Sequence, residues 1–123
     1  MKKGNILICD DERGVRESLK VLLEKEYDLS FASDGAEAIQ HVQKNNPDVA
    51  ILDIKMPNVN GLVALRKIKE LKPNVRVVII TGYESTDVAA EAINAGADDY
   101  LNKPFDGERI KAQIKTLLES KRA

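Results

Sequence analysis

The chain has 123 residues, 43% of them hydrophobic, with 19 Lys plus Arg against 20 Asp plus Glu, one His, one Cys and no Trp. At that length roughly two-thirds of the unfolded surface can be buried, so residues 1–123 are expected to form one globular domain with a real core; disorder and fibrous repeats are excluded. A formal charge of −1 with both signs interspersed offers no basic field for nucleic acid or an anionic membrane, and no apolar run approaches the ~20 residues that span a bilayer.

Ile6-Leu7-Ile8-Cys9 is a continuous apolar run that reads as a buried strand, and Val15, Leu19 and Leu22 then fall at helical spacing. Asp28 to Ala32 alternates weakly and reads as a second strand. Asp34 followed by Glu37 has capping-box spacing and opens a helix with Ala38, Ile39 and Val42 inward. Val49-Ala50-Ile51-Leu52 is again apolar throughout. After a loop carrying Pro57 and Gly61, a helix places Leu65, Ile68 and Leu71 on one face. Val77-Val78-Ile79-Ile80 makes a fourth strand; the next helix turns Val88, Ala89, Ala92 and Ile93 inward and stops at Gly96. A short strand at Tyr100-Leu101 and a helix with Ile110, Ile114, Leu117 and Leu118 complete the chain.

Five strand–helix alternations predict an α/β fold, and strands apolar on both faces belong at the centre of a parallel sheet. That makes strands one, three and four central and leaves two and five at the edges. The result is a doubly wound five-stranded parallel sheet of order 2-1-3-4-5, flavodoxin-like, with five helices distributed over both faces. Ligands of such sheets bind beyond the carboxyl ends of the strands.

Every informative strand end carries a reactive group: Asp10-Asp11-Glu12, Asp53, Thr81 and Lys103-Pro104. Helix capping accounts for Asp10, Asp11 and Glu12 individually, but not for Asp53, which ends a buried strand well before the next helix. Carboxylates crowded in one crevice repel by roughly 4 kcal/mol per pair at ~4 Å and an effective dielectric of about 20. A hard divalent cation resolves that repulsion. Oxygen donors without His or Cys suit Mg²⁺ or Mn²⁺ rather than zinc. A carboxylate beside such a cation, a hydroxyl at Thr81 and an ammonium at Lys103 form a phosphoryl-handling set whose product would be an aspartyl phosphate.

The set Asp10-Asp11, Asp53-Ile54-Lys55-Met56-Pro57 with Gly61, Thr81-Gly82, and Tyr100-Leu101-Asn102-Lys103-Pro104-Phe105 resembles the receiver domain of two-component response regulators, of the chemotaxis type. The resemblance covers essentially the whole chain. It implies that Asp53 accepts a phosphoryl group from a sensor histidine kinase, a phosphotransfer protein or a small donor such as acetyl phosphate. It further implies that Asp11 and Asp53 hold Mg²⁺ with their side chains, Lys55 with its backbone carbonyl and Asp10 largely through water. Lys103 would pair with the phosphoryl oxygens and Thr81 would hydrogen-bond them, while Tyr100 swings from exposed toward buried. The Lys103–Pro104 peptide is expected to be cis, and the output surface is expected on the fourth helix, fifth strand and fifth helix. By that resemblance the chain would be a self-phosphorylating switch, with slow autophosphatase activity open to it, and not a turnover enzyme on external substrates. It is expected to be cytoplasmic and either monomeric or dimeric on phosphorylation, with an output domain or partner protein to act on.

Lys55 and Tyr83 depart from the chemotaxis pattern and flank the path of attacking water, which predicts slow self-dephosphorylation. The Asn58-Val59-Asn60 stretch also lacks the Gly and Asp often found before the loop glycine. His41, away from any strand end, reads as a surface histidine, Met56 and Pro57 as loop-shaping residues, and Lys111, Lys115, Lys121 and Arg122 as a solvated face. Two rival readings compete: a metal-dependent phosphohydrolase with an Asp nucleophile, and a degenerate receiver that only binds partners. The first lacks its usual Asp-x-Asp after strand one; the second would be favoured by loss of Asp11, Asp53, Thr81 or Lys103, all of which are present. P-loop and dinucleotide-binding glycine patterns are missing too. The run from Thr81 to Ser85, with Lys55, is similar to receivers attached to ATPase-type transcriptional activators, so the chain is expected to be either an excised domain or a free-standing phosphorelay member.

Overall fold

The computed structural model describes residues 2–56, 59–82 and 86–120, without the side chains of residues 86 and 120. Tyr83, Pro57, Asn58, Lys121 and Arg122, singled out above, lie outside the described residues. Ten elements alternate along the chain: β1 (Asn5–Cys9), α1 (Arg13–Leu23), β2 (Asp28–Ala32), α2 (Gly35–Lys44), β3 (Val49–Leu52), α3 (Gly61–Leu71), β4 (Arg76–Thr81), α4 (Thr86–Asn94), β5 (Asp99–Asn102) and α5 (Gly107–Ser120). The strands form one parallel sheet of order β2-β1-β3-β4-β5, so the predicted doubly wound topology is the observed one.

Burial explains the order. β3 is buried at every residue, and β1 and β4 at all but their first, whereas β2 and β5 are only partly covered. Alternate residues of the central strands feed two cores. Leu7, Cys9, Leu52, Val77 and Ile79 pack under α2, α3 and α4 against Ala38, Val42, Leu65, Ile68 and Ala92. Ile6, Ile8, Ile51, Val78 and Ile80 pack against Leu19, Leu23, Ile110, Ile114 and Leu117 of α1 and α5. Each fully buried Leu or Ile contributes about 1.5–3 kcal/mol of apolar transfer, which is what holds helices to both faces.

Local signals set the helix ends. The Asp34 carboxylate accepts from Glu37 N at 2.8 Å, and the Glu37 carboxylate reaches back to Ser33 N at 3.3 Å, one residue before the cap, so the return bond of the expected capping box is shifted by one position. Gly96, with φ +106°, turns the chain out of α4 where a side chain would be strained.

Three expected inward positions move. On α4, Val88 and Ala92 form the buried stripe at i, i+4, so Ile93, one residue further, is rotated away and 51% exposed. Leu71 is the last residue of α3, one turn past Ile68, and is 38% exposed. On α1 the stripe runs through Leu19 and Leu23, with Leu22 half-buried beside it.

Candidate functional site

The parallel ladder continues one residue past β1 and β3 and aims both terminal acids at the same crevice. Asp10 N donates to Ala32 O at 3.1 Å and Asp53 N to Cys9 O at 3.0 Å. Both side chains are buried. Behind Asp53 the chain folds sharply into α3: Gly61 N donates to Ile54 O at 2.9 Å, and a Cβ on Gly61 would stand 2.1 Å from the Asp53 carbonyl oxygen. Only glycine permits that approach, so Gly61 sets the backbone that carries Asp53.

Every oxygen of the two buried carboxylates is engaged. Asp10 Oδ1 accepts from Glu12 N at 2.9 Å, and Asp53 Oδ1 accepts from Lys55 N at 3.2 Å. Lys103 Nζ reaches both remaining oxygens, at 2.9 Å from Asp10 Oδ2 and 2.9 Å from Asp53 Oδ2, and lies 3.0 Å from Glu12 Oε1. Burial raises the Asp10 carboxyl pKa; the hydrogen bonds from Glu12 N and Lys103 oppose that rise and the Asp53 charge adds to it. Burial alone would depress the Lys103 ammonium, but its bonds to Asp10, Asp53 and Glu12 outweigh it, so the lysine is held charged above its ordinary value.

Asp10, Asp11, Glu12 and Asp53 each bring a carboxylate oxygen into one group spanning no more than 4.8 Å. Three of these acids meet the Lys103 ammonium, every donor of the group is oxygen, and Asp11 and Glu12 open to solvent. That chemistry fits a hard divalent cation with water in its shell. Glu12 enlarges the expected donor group. Capping had accounted for it, yet at the N-cap position of α1 its side chain makes no cap hydrogen bond and crosses to Lys103 instead. Arg16 was not anticipated at all: its guanidinium donates to Asp10 O at 2.7 Å and ties down the acidic loop. No spacing in the sequence marks a side chain whose partner is a backbone carbonyl.

The other expected residues surround this centre. Thr81 ends β4, fully buried, and its carbonyl accepts Lys103 N at 2.9 Å, which couples the β4 and β5 ends. The Lys103–Pro104 peptide is cis. The Lys55 side chain is exposed beside Asp53. Tyr100 is half-buried, its ring against the core under α2, α3 and α4, rather than exposed as the resemblance implied. Burial and, after it, the Asp53 charge raise its phenol pKa.

Comparison with known proteins agrees with this geometry. The family model described as response regulator receiver domain matches residues 6–115. The chain is 39% identical over 114 residues to response regulator MprA of Mycobacterium leprae, an alignment covering 92% of this chain and 50% of that protein. The chain thus spans about half the length of the curated relatives it matches. Among solved structures it is similar to a CheY-like response regulator receiver domain protein from Methanospirillum hungatei, with TM-score 0.93 and 31% identity over 96% of this chain and 95% of that one. The BeF3-activated DrrB receiver domain superposes with TM-score 0.90 and 27% identity, covering 97% and 99% of the two chains.

Proposed function

The chain belongs to the response regulator receiver domain family, and from that premise we propose that residues 1–123 form a single receiver domain in which Asp53 is the phosphoacceptor. The observation that carries the reading is the buried Asp53 carboxylate, held 2.9 Å from the Lys103 ammonium within a cluster of acids fit for a divalent cation. In the reaction an oxygen of Asp53 attacks phosphorus. The bond from phosphorus to the imidazole nitrogen of a kinase phosphohistidine, or to the acyl oxygen of acetyl phosphate, breaks, and the leaving atom keeps the bonding pair.

Asp10, Asp11 and Asp53, with the Lys55 backbone carbonyl, would hold Mg²⁺ or Mn²⁺, which supplies charge neutralisation on the transferring group. Lys103 and Thr81 supply donors to its oxygens. The product carries about 1.5–2 added negative charges and three strong acceptors. Two new charge-assisted hydrogen bonds then suffice for a tenfold or larger population shift, at ~1.4 kcal/mol per tenfold. Movement of Thr81 and Tyr100 would carry that shift to the α4, β5 and α5 face, where an output domain or partner protein reads it, by dimerisation or otherwise. The Lys55 side chain beside Asp53, with Tyr83, would obstruct attacking water and give slow self-dephosphorylation.

The partner upstream is a sensor histidine kinase or a phosphotransfer protein, and no direct nucleic-acid contact is assigned. Among the described residues no helix is long and apolar enough to cross a membrane. The test is intact mass after incubation with acetyl phosphate. One added phosphoryl group that requires both Mg²⁺ and Asp53 is expected; modification that survives Asp53→Asn would contradict the assignment.

A further inference from the structure

An ammonium has three N–H donors, and those of Lys103 face three carboxylates: Asp10 and Asp53 at 2.9 Å and Glu12 at 3.0 Å. The three bonds differ in solvation. The Asp10 and Asp53 side chains are each 4% exposed, that of Glu12 63%. A pair whose acid is that wet is weak and exchanges readily, while the two buried partners stay. Glu12 also has no employment on its own helix, since it stands at the N-cap of α1 without making a cap hydrogen bond. Its side chain instead bridges 91 positions to the end of β5.

We propose that Glu12 is a displaceable placeholder on Lys103. It occupies the third N–H in the resting state and surrenders it to a phosphoryl oxygen on Asp53, which makes the tether a brake on phosphoryl uptake. The inference rests on Asp53 being the phosphoacceptor. Lys103 keeps its proton throughout; one hydrogen-bond acceptor is exchanged for another. The exchange leaves the Glu12 carboxylate free in water, where its exposure makes release inexpensive, whereas release of Asp10 would strand a buried charge.

Glu12 also places a negative charge at the mouth, which repels an anionic donor whether or not it holds the lysine. Two variants separate these effects. Glu12→Gln removes the charge and the ion pair; Glu12→Asp keeps the charge but is one methylene too short for the 3.0 Å contact. The experiment follows phosphorylation by acetyl phosphate as intact mass against time, at Mg²⁺ concentrations where each rate has reached its plateau, with circular dichroism to verify folding. Both variants are expected to react two- to fivefold faster than wild type, equivalent to about 0.4–1 kcal/mol at 1.36 kcal/mol per tenfold. Acceleration of Glu12→Gln alone would reduce Glu12 to a repelling charge and overturn the tether. Unchanged or slower rates in both would overturn it as well. No phosphoryl uptake by the wild type would overturn the phosphoacceptor reading itself, a result distinct from uptake at unaltered rates.

Discussion

Asp53 Oδ2 and Lys103 Nζ, fifty positions apart in the chain, meet at 2.9 Å and join the ends of β3 and β5 across the intervening β4. The ammonium is therefore the resting counter-ion of the acidic crevice, and its removal has two opposite consequences. Lys103→Met should lower the stability of the metal-free protein by about 3 kcal/mol, because Asp10 and Asp53 are left buried without a counter-ion, each keeping only its backbone N–H bond. The same change should tighten Mg²⁺ binding by roughly tenfold, since the cation no longer competes with a fixed charge nearby. Urea unfolding with and without Mg²⁺ reads both effects on one sample, and Mg²⁺ should recover most of the lost stability.

Glycine positions divide by what a methyl group would meet. At Gly61 a Cβ would lie 2.1 Å from the Asp53 carbonyl oxygen, so Gly61→Ala should cost about 2–3 kcal/mol and slow phosphoryl uptake by displacing the loop that bears Asp53. Gly14, inside α1, has nothing within 4 Å of such a Cβ. There Gly14→Ala should stabilise the fold by about 0.5–1 kcal/mol through lower unfolded-state entropy and better helix propensity. Urea midpoints of the two variants against wild type check the contrast.

His41 is half-buried on α2, with Asn45 Nδ2 3.5 Å from its Nδ1, and burial lowers its pKa below the ordinary 6.5. The unfolded chain therefore takes up a proton before the folded one as pH falls. Stability from this residue is complete above 6.5 and is lost on acidification from there toward the lower folded value. The urea midpoint of wild type should decline between pH 7 and pH ~5.5, a window chosen to precede carboxylate titration, and His41→Gln should flatten that decline.

Cys9 packs in the core under α2, α3 and α4, where burial, reinforced by the Asp34, Asp10, Glu37 and Asp53 charges, holds the thiol well above its ordinary pKa. Its Sγ donates to Asp34 O at 3.2 Å. A buried thiol without thiolate character is inert, so alkylation of the native protein by iodoacetamide should proceed only through unfolding. Labelling should accelerate steeply across the urea transition. Rapid labelling of the folded protein would show that the β1 end opens locally.

The fold was legible because its signals are local and repeated. The uninterrupted apolar runs at Ile6–Cys9, Val49–Leu52 and Val77–Ile80 identify central strands by composition alone, and Asp34 with Glu37 marks a helix start by spacing. Positions that depend on helix rotation near an end, such as Leu71 and Ile93, were less legible, because periodicity does not say where the sheet stops. At the site, the strand-end acids and Lys103 stood out by residue type. Glu12 did not, since an acid before a helix has an ordinary capping explanation that only its contact with Lys103 displaces. Arg16 was hidden for a related reason: a cation bound to a backbone carbonyl leaves no complementary residue in the sequence.

The most direct test of the account locates the phosphoryl group chemically. After incubation with acetyl phosphate and Mg²⁺, borohydride reduction converts an aspartyl phosphate to homoserine, which peptide mass spectrometry assigns to one position. Homoserine at position 53, absent from Asp53→Asn and from samples without Mg²⁺, is the predicted result. Homoserine at position 10 or 11, or a phosphoryl group resistant to borohydride, would contradict it.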